Sequence, residues 1–130
     1  MTIAGLGIFV SLAFIGGGSA GCTTPEAIVE VFPDCNESVF QQSYVQVVLA
    51  NGYRAELALN NQPIPLDEIT TDRGGEDIAG AAPNRYRFQP GVGKTFEALL
   101  PNQNCVAVTY WPIASGMEEA REFRWCFRAA

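Results

Sequence analysis

The chain has 130 residues, enough for one domain with a workable hydrophobic core. Its net charge is −6, and it lacks the basic stripe that nucleic-acid binding requires. It contains no histidine, which excludes Ser-His and Cys-His nucleophile pairs and imidazole metal ligands. We therefore expect a protein without nucleic-acid partners, without a metal or other cofactor, and without enzymatic activity.

The N-terminal stretch MTIAGLGIFVSLAFIGGGSAG carries no charge and is long enough to cross a hydrocarbon core of about 30 Å as a helix. It lacks the basic n-region of a secretory signal. We predict a retained single-pass transmembrane helix, which makes residues 1–22 a cell-membrane anchor and residues 23–130 the domain. The acidic flank and the cysteines place the domain on the extracytoplasmic side.

A second interpretation of the same segment stays open. The tetrapeptide SAGC, residues 19–22, resembles a bacterial lipobox, although Ser19 stands where leucine is usual. In that alternative the preceding residues are removed and Cys22 carries a lipid.

The predicted helix has small side chains at intervals of four residues. Such spacing lets another transmembrane helix approach closely, so we expect integral membrane subunits as well as the lipid bilayer as partners. The competing explanation is that glycine-rich ends are common in export signals. The helix-packing candidates are Gly7, Ser11, Ala13, Gly17 and Gly21.

Beyond the anchor, alternating apolar residues predict a series of short strands. The dipeptide Asn51-Gly52 predicts a hairpin between the second and third of them. Residues 67–83 are polar and glycine-rich and predict a long loop. The predicted strands are 27–32, 44–50, 54–60, 85–89, 104–111 and 121–127.

Strands of this length and spacing predict an all-β fold. About seven strands with regular turns are typical of an Ig-like antiparallel β-sandwich, here preceded by the single transmembrane helix. The cysteine pair and tryptophan of antibody domains do not occur at the corresponding strands. The likeness is therefore one of architecture.

The last two strands can be paired in a single register that satisfies every position. Placing Cys105 opposite Cys126 also matches apolar to apolar residues on the other face. We predict a Cys105–Cys126 disulfide, which leaves Cys22–Cys35 as the second. A lipidated Cys22 with an unpaired Cys35 is the alternative. The shared apolar face comprises Val106, Val108 and Tyr110 with Phe123, Trp125 and Phe127.

The stretch PGVGKT, residues 90–95, matches the end of a phosphate-binding loop. The first glycine of that motif would fall at Phe88, and the following TFEALL is interrupted at Pro101. Neither a helix N-terminus nor a parallel α/β pattern is available to hold a phosphate. We expect no nucleotide partner and interpret the stretch as a turn followed by a short helical crossover between sheets, with Lys94 as a solvated charge.

Five carboxylates gather in the predicted loop, and such groups can bind Ca²⁺. Their spacing matches no EF-hand, so a solvated acidic loop is favoured, and a carboxylate hydrolase using Asp72 and Glu76 ranks last among the functions considered. The carboxylates are Asp67, Glu68, Asp72, Glu76 and Asp77.

Two surface features remain. Asn36 begins an N-glycosylation sequon, which matters only in a eukaryote. Arg121, Arg124 and Arg128 could form a cation–π surface with Trp111. Ordinary edge-strand charge is the favoured explanation for these arginines.

Five segments, which together cover most of residues 26–128, share a pattern with a known group of proteins: IVEVFP, FQQSYVQVVLANGY, PIPLDEI, FQPGVGKTFEALLPNQNCVAVTYW and FRWCF. They resemble small bacterial envelope proteins of actinobacterial type. It implies one N-terminal hydrophobic segment and one Ig-like domain, and it supplies no catalytic residues.

These observations predict a non-enzymatic, membrane-anchored interaction module. Its expected role is an accessory or structural subunit of a larger membrane complex, such as a respiratory or photosynthetic assembly. The alternative is a free envelope lipoprotein or ligand-binding module anchored through Cys22.

Overall fold

The computed structural model describes residues 22–73 and 83–130. The predicted anchor and its helix-packing candidates Gly7, Ser11, Ala13, Gly17 and Gly21 lie outside these ranges. Within them, none of the helical segments has the length and apolarity needed to cross a membrane.

Nine strands are described in these two ranges, and they form two sheets. One sheet has the order β1-β3-β7-β6 and the other β2-β9-β8-β4-β5, with every pair antiparallel except β2 with β9. The strands are β1 (Ile28–Phe32), β2 (Ser38–Val39), β3 (Val45–Leu49), β4 (Tyr53–Leu59), β5 (Gln62–Pro63), β6 (Ile69–Asp72), β7 (Arg85–Phe88), β8 (Asn102–Pro112) and β9 (Arg121–Ala129).

The predicted all-β sandwich is confirmed. The six predicted strands are present, each with ends within two residues of the expected ones. The structure adds β2 and β5, which have two residues each and no pattern to detect. It also adds β6 inside the segment predicted as a loop, because Ile69 turns into the core while the next three residues stay exposed.

The predicted register of the last two strands is confirmed. Cys105 pairs with Cys126, Val106 with Trp125, and so on through nine positions. Both predicted disulfides are present, with Cα–Cα distances of 4.0 Å for Cys105–Cys126 and 5.0 Å for Cys22–Cys35. Because the Sγ atom of Cys22 is bonded to Cys35, Cys22 could carry a lipid only in molecules that lack this disulfide.

The predicted hairpin at Asn51-Gly52 is wrong. Gly52 does adopt the expected turn conformation, with φ of +90°. However, β3 and β4 belong to different sheets, so this turn carries the chain across the sandwich. The tight hairpin lies instead between β4 and β5 at Asn60-Asn61, whose φ values of 51° and 70° fit a type I′ turn.

The segment after β7 does cross between the sheets, but it is not helical as predicted. Its apolar side chains turn inward from an irregular backbone. Phe96 meets the ring of Phe88 edge-on with centroids 5.8 Å apart, and Leu99 is buried. The Leu99 N–H donates to Gln41 O at 2.8 Å, so a partner outside the segment replaces a helical hydrogen bond.

Two buried polar side chains connect the parts of the sandwich. The Trp125 Nε1–H donates to Pro33 O at 2.7 Å, which joins β9 of one sheet to the loop after β1 of the other. Asn104 is fully buried, accepts from Asn60 Nδ2 at 3.0 Å and bonds both backbone groups of Leu100. These bonds satisfy groups that would otherwise be costly to bury.

We predict that Trp125→Phe lowers the free energy of unfolding by about 1–3 kcal/mol, because the buried carbonyl of Pro33 loses its donor. Equilibrium denaturation with urea measures this change. Trp111→Phe is the matched control on a half-buried tryptophan and should cost less. Equal losses in the two variants would contradict the role given to the Trp125 hydrogen bond.

Candidate interaction surface

The outer face of the four-stranded sheet carries both an apolar and a charged region. One of its two central strands, β7, reads Arg-Tyr-Arg-Phe, and alternate side chains point to opposite faces. Tyr86 and Phe88 are buried in the core. Arg85 and Arg87 therefore stand on the outer face, opposite Val48 and Gln46 of β3.

One end of this face, together with β2 of the other sheet, is apolar and open. Phe32, Val39, Phe40 and Tyr44, which we call the aromatic patch, line a groove of about 470 Å³ together with polar neighbours such as Gln89. Phe40 is 81% exposed, which is unusual for a side chain of its size. A clustered apolar surface of this kind marks a contact site more often than an isolated exposed residue does.

The aromatic patch is held in place from the sheet side. The Phe32 and Tyr44 rings are 4.8 Å apart at their centroids. The guanidinium of Arg87 lies 4.4 Å from the centre of the Tyr44 ring, while its Nε–H donates to Gln46 Oε1 at 2.9 Å. The hydrogen bond orients Arg87, and the cation–π contact of Arg87 in turn stabilises the position of the Tyr44 ring.

The other end of the face is polar. Arg85 donates two hydrogen bonds to the Asp72 carboxylate, at 2.6 and 3.0 Å, in a bidentate arrangement across β7 and β6. The hydrogen bond from Arg85 holds the pKa of Asp72 below its ordinary value, assisted by the charges of Arg85 and Arg87 and opposed by desolvation of the carboxylate. A neighbouring groove of about 560 Å³ runs along Glu30, Gln46 and Val48.

The domain is pinned where it follows the N-terminal segment. Cys22 is bonded to Cys35, which lies in the loop between β1 and β2. This loop is held by the Asn36 N–H, which donates to Cys126 O at 3.0 Å, and by the Arg128 N–H, which donates to Glu37 O at 2.8 Å. The first described residue is thus connected to β9 through this loop.

The PGVGKT stretch forms a turn with Gly93 at a φ of +85°. Thr95 donates from its N–H and its hydroxyl to the carboxylate of Glu68, at 3.1 and 2.9 Å. Lys94 donates to Gln89 O at 2.6 Å and is half-buried, so it is more engaged than the predicted solvated charge. A carboxylate therefore takes the donors that a phosphate would need.

The predicted acidic loop is divided by the structure. Glu68 bonds Thr95 and Asp72 bonds Arg85, while Glu76 and Asp77 lie outside the described residues. Across 22–73 and 83–130 there is no group of three or more potential metal ligands. The hydrolase hypothesis, which ranked last, uses Asp72 and Glu76. Of these two residues the structure describes only Asp72.

The arginines of β9 do not gather around Trp111. The cation–π contacts in the described ranges are Arg87 with Tyr44 and Lys94 with Phe88. Arg124 instead donates to Asn61 and Glu122, at 3.2 and 3.3 Å. Arg121 and Arg128 are exposed, in agreement with ordinary edge-strand charge. Asn36 is also exposed, with a φ of 64° in its turn.

Sequence reasoning missed the aromatic patch. The alternation in β7 is a usable signal for Arg85 and Arg87, since Tyr86 and Phe88 clearly belong to the core. Phe40 lies outside any strand, so no periodicity indicates whether its side chain is buried or exposed.

We predict that Arg85→Gln raises the pKa of Asp72 toward its ordinary value, measured by NMR titration of the carboxyl carbon. Arg87→Gln, on the same face of β7, should raise it less, because Arg87 acts on Asp72 only through its charge.

The lowered pKa of Asp72 also makes the stability of the fold depend on pH. The folded pKa lies below the unfolded value of about 3.9, so the pair stabilises the fold above that pH and loses this effect as the pH falls through the folded pKa. A pKa of Asp72 that is equally high in the wild type and in Arg85→Gln would contradict the assignment.

No protein-family model and no curated protein matches the chain. Among solved structures it is similar to PcoC, a methionine-rich copper resistance protein from Escherichia coli, with 11% identity and a TM-score of 0.48 over 79% of this chain and 96% of that one. The selenomethionine form of PcoC has 11% identity and a TM-score of 0.49 over 79% and 98%. Copper resistance is a property of that protein.

Proposed function

We propose that this protein is a non-enzymatic interaction module that its N-terminal segment anchors in the cell membrane as a single-pass helix. Its domain is Ig-like and faces the extracytoplasmic side. Its role is that of an accessory or structural subunit packed on integral subunits of a larger membrane complex, such as a respiratory or photosynthetic assembly.

The strand order supports the Ig-like assignment. In Ig-like domains one sheet carries strands A, B, E and D, and the other carries G, F and C, to which variable-type domains add C′. Apart from the short β2, the strands in chain order take the same places. The sheet β1-β3-β7-β6 corresponds to ABED, and β9-β8-β4-β5 corresponds to GFCC′.

The observation that carries the proposal is the bond between Cys22 and Cys35. It ties the domain to the chain directly after the charge-free segment, without a linker. A module that captures ligands on its own gains reach from a linker. A domain fixed at its point of attachment can instead keep one orientation toward neighbouring subunits.

The two disulfides also support the extracytoplasmic side. Structural disulfides form and persist in oxidising compartments and are rare in the cytosol. All four cysteines of the chain are used in them.

The alternative of a free lipoprotein needs the Cys22 sulfur for a thioether to the lipid. In the structure this sulfur is bonded to Cys35. The two arrangements exclude each other on a single molecule, which makes them separable by mass.

We predict that the native, non-reduced protein has the mass of its unmodified chain less four hydrogens, since each of two disulfides removes two. Intact-mass spectrometry measures it. A chain that starts at Cys22 with an added diacylglycerol would establish the lipoprotein and overturn the anchored module.

We predict that the native protein, purified in a gentle detergent, carries other membrane proteins in a fixed ratio. Gly17→Leu should reduce that ratio several-fold, because a large side chain keeps a neighbouring helix at a distance. Gly18→Leu makes the same change about 100° around the predicted helix and is the control. Equal recovery of partners with both variants would contradict association through the Gly17 face.

A further inference from the structure

We propose that the aromatic patch is a membrane-contact surface that rests in the interfacial region of the lipid bilayer beside the anchor. This inference rests on the proposed anchoring and adds to it the face of the domain that meets the lipid.

The position of the patch follows from the disulfide. The Cα atoms of Cys22 and Cys35 are 5.0 Å apart. Phe32 is three residues from Cys35 and Phe40 is five, so a fully extended chain limits those Cα separations to about 11 and 18 Å. The Cys22 Cα, where a membrane-spanning helix that ends at Gly21 would emerge, therefore lies within about 16 Å of the Phe32 Cα and about 23 Å of the Phe40 Cα.

The chemistry of the patch suits the headgroup boundary. Aromatic side chains are enriched there, because a ring with a polar tip is stable between hydrocarbon and water. Tyr44 supplies such a ring, and the 81% exposed Phe40 supplies an apolar side chain with little protein around it. Arg87 lies behind Tyr44, where its stem can pack and its charge can stay wet.

The charges around the patch indicate whether it would contact an anionic or a zwitterionic lipid surface. The loop that carries Cys35 contains Asp34 and Glu37, and the Asp34 N–H donates to the Glu37 carboxylate at 2.8 Å. These carboxylates would be repelled by an anionic leaflet and not by a zwitterionic one. The contact is therefore apolar in origin and should be insensitive to salt.

The opposite face of the sandwich is a poorer candidate. The outer face of the five-stranded sheet carries Arg54, Glu56, Glu122, Arg124 and Arg128, all exposed. Bringing that many charges to a lipid surface would strip water from them at a large cost.

The test uses the full chain with Phe40→Trp in phosphatidylcholine nanodiscs, one copy in each. Lipid brominated in the upper part of its acyl chains quenches tryptophan emission by contact. Leu66→Trp is the matched control, since Leu66 is 66% exposed and lies at the other side of the sandwich, beside β5 and β6. The emission of Trp111 and Trp125 is subtracted with the wild type.

We expect the brominated lipid to reduce the emission from position 40 about twofold or more, and that from position 66 hardly at all. The same quenching should persist at high salt. An unquenched signal at position 40 in a protein that stays in the nanodisc would overturn the lipid contact and leave the anchor intact.

Two other results would also overturn it. A signal at position 40 that changes with the number of copies per nanodisc, and not with bromination, would assign the patch to a second copy of the chain. A protein that does not insert in the nanodisc would remove the proposed anchor and this inference together.

Discussion

The single register in which β8 pairs with β9 determines a series of contacts that reaches from the core to the start of the domain. It turns Trp125 inward, where the indole donates to the carbonyl of Pro33 in the loop after β1. That loop carries Cys35, whose bond to Cys22 determines where the chain joins the domain. A change of register by one residue would move Trp125 to the outer face and release this whole series of contacts. The proposed orientation on a membrane is thus a consequence of a strand pairing in the five-stranded sheet, whose strand β9 also pairs with β2 of the aromatic patch.

The parts of the fold that sequence could predict are those in which several local signals agree. The β8–β9 register is an example, because two cysteines and two rows of apolar residues are satisfied together in one alignment. Asn51-Gly52 shows the limit of a single signal. The dipeptide specifies the backbone of a turn, and Gly52 adopts it, but the sheet that β4 joins is decided by burial across the core. β6 escaped prediction because only Ile69 of its four residues is buried.

The residues of the candidate surface also differ in whether local sequence or only tertiary structure reveals them. Alternation in β7 separates Arg85 and Arg87 from the core in sequence alone. Arg85 contacts Asp72 and Arg87 contacts Tyr44. Both contacts join residues distant in sequence, so predicting them requires the order of the strands in the sheet. Cys105–Cys126 could be predicted from the register and Cys22–Cys35 by elimination. The aromatic patch combines residues from β1, β2 and two loop positions that share no period. The position of Phe40 depends on tertiary structure throughout.

We infer that the Cys22–Cys35 bond holds the domain directly against the membrane. Neutron reflectometry of the full chain in a supported phosphatidylcholine bilayer measures the distance between the protein layer and the headgroups. We expect a protein layer that begins at the headgroups, and a thicker layer with a hydrated gap when Cys22 and Cys35 are both replaced by serine. A hydrated gap already present in the wild type, and unchanged in the double variant, would contradict it.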